Sequence, residues 1–166
     1  MFLLDFEKAY DRVEWNFINM MLDAFGFPSF FCDIVKMLLK YAYARVNVNG
    51  SLSDPFPLVR SIRQGCPLAP ALFVIASKAL FYILRDNTLS PTVKGITLSD
   101  DKDLINCQFA DDTFLFFEAS ESNFKAMISK LNFFCKISRA RLSHSKSICL
   151  GWKSQPPDWF EKFSFQ

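Results

Sequence analysis

Leu104-Ile105-Asn106-Cys107-Gln108-Phe109-Ala110-Asp111-Asp112-Thr113-Phe114-Leu115-Phe116-Phe117 is the stretch that decides the fold. Two apolar runs, Leu104–Phe109 and Thr113–Phe117, flank a pair of adjacent carboxylates, and the break reads as the tip of a β-hairpin. Strand side chains alternate faces, so neighbouring aspartates serve one site only at a tight turn. Two like charges held that close repel each other unless a cation neutralises them. Carboxylate oxygens are the ligands magnesium takes, so the stretch points to a divalent ion at the hairpin tip. An Asp-Asp turn is also common as a plain solvated turn, and the metal reading needs another acid from elsewhere in the chain.

Asp5 is that acid. Phe2-Leu3-Leu4-Asp5-Phe6 reads as a short buried strand that ends in a functional carboxylate. If this strand neighbours the hairpin, at the usual spacing of about 4.8 Å, Asp5 reaches the same ions as Asp111 and Asp112. Two ions about 3.5–4 Å apart stabilise both the attacking and the leaving oxygen of a phosphoryl transfer. The alternative is that Asp5 caps the turn before the next helix, with Glu7, Lys8 and Asp11 as ordinary loop charges.

The remaining pattern is α+β. Trp15, Ile18, Leu22 and Phe25 form a helical stripe ended by Gly26, and Pro28 opens a second helix carrying Phe31, Ile34, Val35, Leu38 and Leu39. Ala44–Val48 alternates into the hairpin signal Asn49-Gly50, with a return strand expected near Leu58–Ile62. A long buried helix is expected from Pro67 to about Leu84. A short strand at Ile96–Leu98, a helix capped by Ser120 or Ser122 and running to about Ile137, and a closing strand at Ser147–Leu150 complete the elements. Strands and helices without strict alternation predict helices packed on one face of a largely antiparallel sheet.

Composition narrows the class. At 166 residues, with 51% hydrophobic residues and 20 phenylalanines, the chain fits one folded domain and not a disordered segment. The five cysteines lack C-x-x-C spacing and His144 is the sole histidine, which argues against zinc and for buried reduced thiols inside the cell. The run Leu68–Leu84 contains Pro70 and Lys78 and reads as a buried helix and not a membrane span. Between Glu121 and Asp158 every charge is basic: Lys125, Lys130, Lys136, Arg139, Arg141, Lys146 and Lys153. Such a stretch suits a polyanion, although a solvated helix face looks the same.

One further motif bears on function. Arg63-Gln64-Gly65-Cys66-Pro67-Leu68-Ala69-Pro70 sits before the long helix; Gly65 permits close backbone approach, and a helix N-terminus favours anionic ligands. Taken in order, the Asp5 strand, the Arg-Gln-Gly-Cys-Pro-Leu loop, the Phe-Ala-Asp-Asp hairpin and Ser145-Lys146-Ser147 resemble the reverse transcriptases of non-LTR (LINE-type) retrotransposons, from about Phe2 to Gly151. The loop weakens the case for another two-metal nucleotidyltransferase or a cyclase.

The resemblance implies a polymerase palm in which Asp5, Asp111 and Asp112 hold two Mg²⁺ ions, with Mn²⁺ as a substitute, and in which Asp5 and Asp111 are the principal ligands. It sets Phe6 and Tyr10 at the nucleotide, Tyr10 as the ring that excludes a ribose 2′-hydroxyl. Gln64 and Gly65 match the loop against the incoming nucleotide, Lys146 a lysine near its phosphates, and Arg63, Arg139 and Arg141 are nucleic-acid contacts. The implied partners are an RNA template, a DNA primer and deoxynucleoside triphosphates, in the nucleus or cytoplasm and without a membrane.

The chain departs from the family in several places. Ala69 stands where a serine is usual, and Ala140 where glycine is, which strains the turn if that position needs positive φ. With no fingers before Phe2 and no thumb after Gly151, residues 1–151 read as a partial domain, the palm of a longer polyprotein, followed by a poorly ordered tail at 152–166. A degenerate remnant that keeps only nucleic-acid binding is the competing expectation.

Overall fold

The computed structural model describes residues 1–89, 92–98, 103–143 and 145–150. The chain opens with β1 (Phe2–Leu4), the single turn α1 (Ala9–Arg12), α2 (Trp15–Ala24) and α3 (Ser29–Lys40). Four two-residue strands follow, β2 (Tyr43–Ala44), β3 (Asn47–Val48), β4 (Ser51–Leu52) and β5 (Phe56–Pro57), and then α4 (Ala69–Arg85). β6 (Ile96–Thr97), β7 (Asp103–Leu104), β8 (Asn106–Phe109) and β9 (Asp112–Leu115) lead into α5 (Glu121–Ser138), and β10 (Ile148–Cys149) closes the order. The result is a mixture of helices and small antiparallel sheets. The chain divides into two compact units, Tyr10–Ala76 and Met1–Ala9 together with the residues from Ser77 onward. Residues 152–166, expected as a tail, and His144 lie outside the described residues.

The unit containing β1 is organised by a four-stranded antiparallel sheet in the order β10-β1-β9-β8. Phe2 pairs with Leu115, Leu3 with Phe114 and Leu4 with Thr113. Alternation sorts the faces: Phe2, Leu4, Thr113 and Leu115 are buried, while Leu3 and Phe114 are half-buried and Asp112 is exposed. α5 covers the buried face, with the Phe124 ring 5.6 Å from Phe2 and the Phe134 ring 5.9 Å from Phe6.

Ser120 is the residue that caps α5, its hydroxyl accepting from the Asn123 N–H. At the other end the left-handed residue is Arg139, at φ 59°, so Ala140 does not carry the turn's strain. Lys130, expected among the surface cations, is 1% exposed. Its ammonium donates to the Leu84 carbonyl at 3.0 Å and to that of Asp86, capping the C-terminal end of α4 where a positive charge is favoured. Burial pushes its pKa down, and the Asp86 charge opposes the shift. Gly95 is fixed by space: a Cβ there would lie 2.5 Å from the Leu104 carbonyl oxygen.

In the other unit, α2 buries Phe17, Ile18 and Leu22, and α3 buries Cys32 and Val35. Gly26 after α2 is at φ 74°, as a helix-ending glycine should be, and Pro28 is the N-cap of α3. Asn49 and Gly50, at φ 51° and 88°, make the β3–β4 hairpin a type I′ turn. The return strand is therefore Ser51–Leu52, directly after the turn, with β5 pairing back to β2. Leu58–Ile62, expected as that strand, instead spends its amides elsewhere, Leu58 on the Ala42 carbonyl, Ser61 on Val13 and Ile62 on Tyr10. Among the described residues no helix is long and apolar enough to cross a membrane.

Candidate active site

The hairpin between β8 and β9 closes at the pair Phe109–Asp112, so its two turn residues are Ala110 and Asp111. Ala110 is at φ 52° and Asp111 is not in the left-handed region, the pattern of a type II′ turn. Alanine is strained there, and such strain collects at functional sites. The last β1–β9 pair is Leu4–Thr113. Carried one residue further, the same register sets Asp5 opposite Asp112, on the face away from α5, with Asp111 next in the turn. Asp5 is half-buried; Asp111 and Asp112 are exposed.

Asp5 is framed on its other side by the segment that carries Lys146. The Ser143 N–H donates to the Asp5 carbonyl at 2.8 Å, and the Asp5 N–H donates to the Ser147 hydroxyl at 3.3 Å. Lys146 and Ser147 both donate backbone N–H groups to the Ser143 carbonyl, which closes a tight loop. An exposed lysine is thus carried on a loop pinned to the Asp5 backbone. Sequence reasoning missed Ser143 and named Ser147 only as part of the Ser145-Lys146-Ser147 motif; its hydrogen bond across 142 residues is not visible in the sequence.

The other candidates divide between the units. Phe6 turns its ring toward Phe134 of α5. Arg141 donates to Glu7 at 3.5 Å, and its carbonyl accepts the Glu7 N–H at 2.8 Å. Exposed as it is, this ion pair contributes little. Arg139 is exposed at the end of α5.

Tyr10, Arg63, Gln64 and Gly65 belong to the Tyr10–Ala76 unit. The Cys66 N–H donates to the Arg63 carbonyl at 3.2 Å around Gly65 at φ 82°, a type II turn with glycine at its required position. A Cβ on Gly65 would meet nothing within 4 Å, so conformation and not internal crowding demands glycine. The Ile62 N–H donates to the Tyr10 carbonyl at 2.8 Å, which registers this loop to Tyr10. The Tyr10 ring stacks on Phe73 of α4, 4.4 Å between centroids and 14° between planes.

Among the described residues no three His, Cys, Asp or Glu side chains form a ready-made metal cluster. Magnesium is ordinarily held by one or two carboxylates plus substrate phosphates and water, so register-opposed acids at a strand end suit it without a protein cage. The cysteines are free thiols, and burial pushes Cys135 up to about 11.

Comparison of the sequence with known proteins identifies its family. Residues 1–156 match the family model "Reverse transcriptase (RNA-dependent DNA polymerase)". The chain is 33% identical over 113 residues to the "Transposon TX1 uncharacterized 149 kDa protein" of Xenopus laevis, covering 68% of this chain and 8% of that one. It is 29% identical over 153 residues to the "Retrovirus-related Pol polyprotein from type-2 retrotransposable element R2DM" of Drosophila melanogaster, covering 92% of this chain and 14% of that one. To the "RNA-directed DNA polymerase from mobile element jockey", also of Drosophila melanogaster, it is 28% identical over 110 residues, 66% of this chain and 11% of that one. The chain therefore spans only a small part of each of these relatives, and it belongs to the reverse transcriptase family, in the non-LTR retrotransposon branch.

Proposed function

We propose that this chain is the palm of an RNA-directed DNA polymerase, joining a primer 3′-hydroxyl to the α-phosphate of a deoxynucleotide with release of pyrophosphate. The observation that supports the reading is the β1–β9 register, whose last pair, Leu4–Thr113, is followed by Asp5 on one strand and flanked by Asp112 on the other, next to the turn strained at Ala110. The acids that flank this pair, Asp5 and Asp112, are thus neighbours in register and not in sequence.

In this reading Asp5, Asp111 and Asp112 hold the divalent ion and orient the reacting oxygens. Magnesium, bound by these carboxylates with substrate phosphates and water, would supply Lewis acidity and neutralise developing charge. Lys146, on its loop pinned to Asp5, meets the charge of the departing pyrophosphate. Tyr10 stands beneath the incoming sugar, and the Gln64-Gly65 turn packs against the nucleotide. Arg63, Arg139 and Arg141 contact the RNA template and DNA primer, with work done in the nucleus or cytoplasm.

Primer extension on an RNA template, with deoxynucleoside triphosphates and Mg²⁺, tests the proposal. Extension that is lost in Asp111→Asn supports it. Extension undiminished in that variant removes Asp111 from the ligand set, and nucleic-acid binding without any extension favours a non-catalytic remnant.

A further inference from the structure

We infer that Phe73 is a positioning residue for sugar selection: its buried ring fixes the plane of Tyr10, the wall met by a nucleotide's 2′ position. The inference rests on the reading of Tyr10 as the ring beneath the incoming sugar and adds the residue that orients it.

Three hydrogen bonds hold the backbone around Tyr10. Its carbonyl accepts from the Ile62 N–H at 2.8 Å, the Val13 carbonyl accepts from the Ser61 N–H at 3.1 Å, and the Trp15 indole donates to the Ser61 carbonyl at 2.8 Å. Ser61 is itself at φ 99°, a conformation a serine keeps only when its surroundings impose it. With the backbone tied, the ring's remaining freedom is rotation about its own side-chain bonds.

Phe73 removes that freedom. Its ring lies 4.4 Å from Tyr10 at 14°, so one face of the phenol is covered. Phe73 is 6% exposed and sits between buried Leu72 and Ala76 on α4, so it has no room to follow a rotating partner. Tyr10 is only half-buried, and the surface that Phe73 leaves uncovered is available to a ligand. Rejection of a ribose depends on the clash of one hydroxyl with this ring. A displacement of about 1 Å is enough to change such discrimination by orders of magnitude. A flat ring at position 73 keeps Tyr10 in plane, whereas an aliphatic side chain of similar bulk fills the space and lets the phenol tilt.

The test compares incorporation of a deoxynucleotide and the matching ribonucleotide on an RNA template by the unsubstituted chain, Phe73→Leu, Phe73→Tyr and Tyr10→Ala. Tyr10 ring-proton shifts are recorded by NMR on the same proteins other than Tyr10→Ala. Phe73→Leu should lower the ratio of the two kcat/KM values about tenfold, mainly through a lower KM for the ribonucleotide. Phe73→Tyr should restore the ratio. The Tyr10 ring protons should move downfield in Phe73→Leu as the ring current is lost.

An unchanged ratio in Phe73→Leu, with the ratio relaxed in Tyr10→Ala, overturns the role of Phe73 and leaves that of Tyr10 standing. An unchanged ratio in Tyr10→Ala overturns the reading of Tyr10, and this inference with it. Ring shifts that Phe73→Leu does not move overturn the stack, whether or not the chain extends a primer.

Discussion

Leu4 and Thr113 face each other across β1 and β9, both buried, at the last pair before the two strands reach acid. Side chains alternate, so burying this pair turns the next residue of each strand, Asp5 and Asp112, to the opposite face. The core thus fixes the acids: a one-residue slip of β9 would place a carboxylate in the core and Thr113 outside. Leu4 is fully buried, and its neighbour on the same face, Phe2, is locked by Phe117 and Phe124.

Ala110 is exposed, so substitutions there report backbone conformation with little contribution from packing. At φ 52°, valine is more costly than alanine because a β-branched side chain tolerates the left-handed region poorly. Ala110→Val should lose about 1 kcal/mol or more of stability in urea denaturation, and Ala110→Gly should lose none. Equal stability of the valine variant would show the turn to be unstrained.

Gly95 has no room for a methyl group against the Leu104 carbonyl and Ile105. Gly95→Ala should push β6 from β7 and lower stability by about 1–3 kcal/mol. Hydrogen exchange should report the change at Ile96 and Leu104, which are paired in the sheet. Protection unchanged there would contradict the crowding.

Lys130 ties α5 to the end of α4, and Lys130→Met leaves the Leu84 and Asp86 carbonyls without its donor. A loss of about 1–3 kcal/mol at neutral pH is expected. Its pH dependence has a definite sign. Burial lowers the folded pKa below the ordinary 10.5, so between the two values the unfolded chain binds a proton that the folded one has released. Stability contributed by this group therefore rises as pH climbs through the lowered value toward 10.5. Lys130→Met should remove that rise; a difference between the two proteins that does not vary with pH over this window would contradict it.

The ordered elements were legible wherever local chemistry decides. Asn49-Gly50 demands a type I′ turn, Gly26 stops α2, and one of the two candidate caps, Ser120, caps α5, and all three follow from short-range geometry. Leu58–Ile62 was misread because its apolar pattern resembles a strand, while its amides go to Tyr10, Val13 and Ala42, partners 16 or more residues away. Lys130 was misread for a similar reason: a lysine in a basic run looks solvated until the end of another helix supplies its acceptors. Of the candidate site, the sequence offers Asp5, Asp111 and Asp112 as candidate acids. The hydrogen bonds by which Ser143 and Ser147 frame the Asp5 backbone were not legible in it, since their partner lies near the other end of the chain.

The most direct test of the central claim, that Asp5 shares one ion with the hairpin acids, is paramagnetic broadening by Mn²⁺ in the NMR spectrum of this chain. Manganese replaces magnesium at oxygen ligands and broadens amide signals around the site it occupies. The account predicts broadening centred together on Leu4–Asp5 and Asp111–Thr113, abolished by Asp5→Asn. Broadening confined to the hairpin and indifferent to that substitution would contradict it.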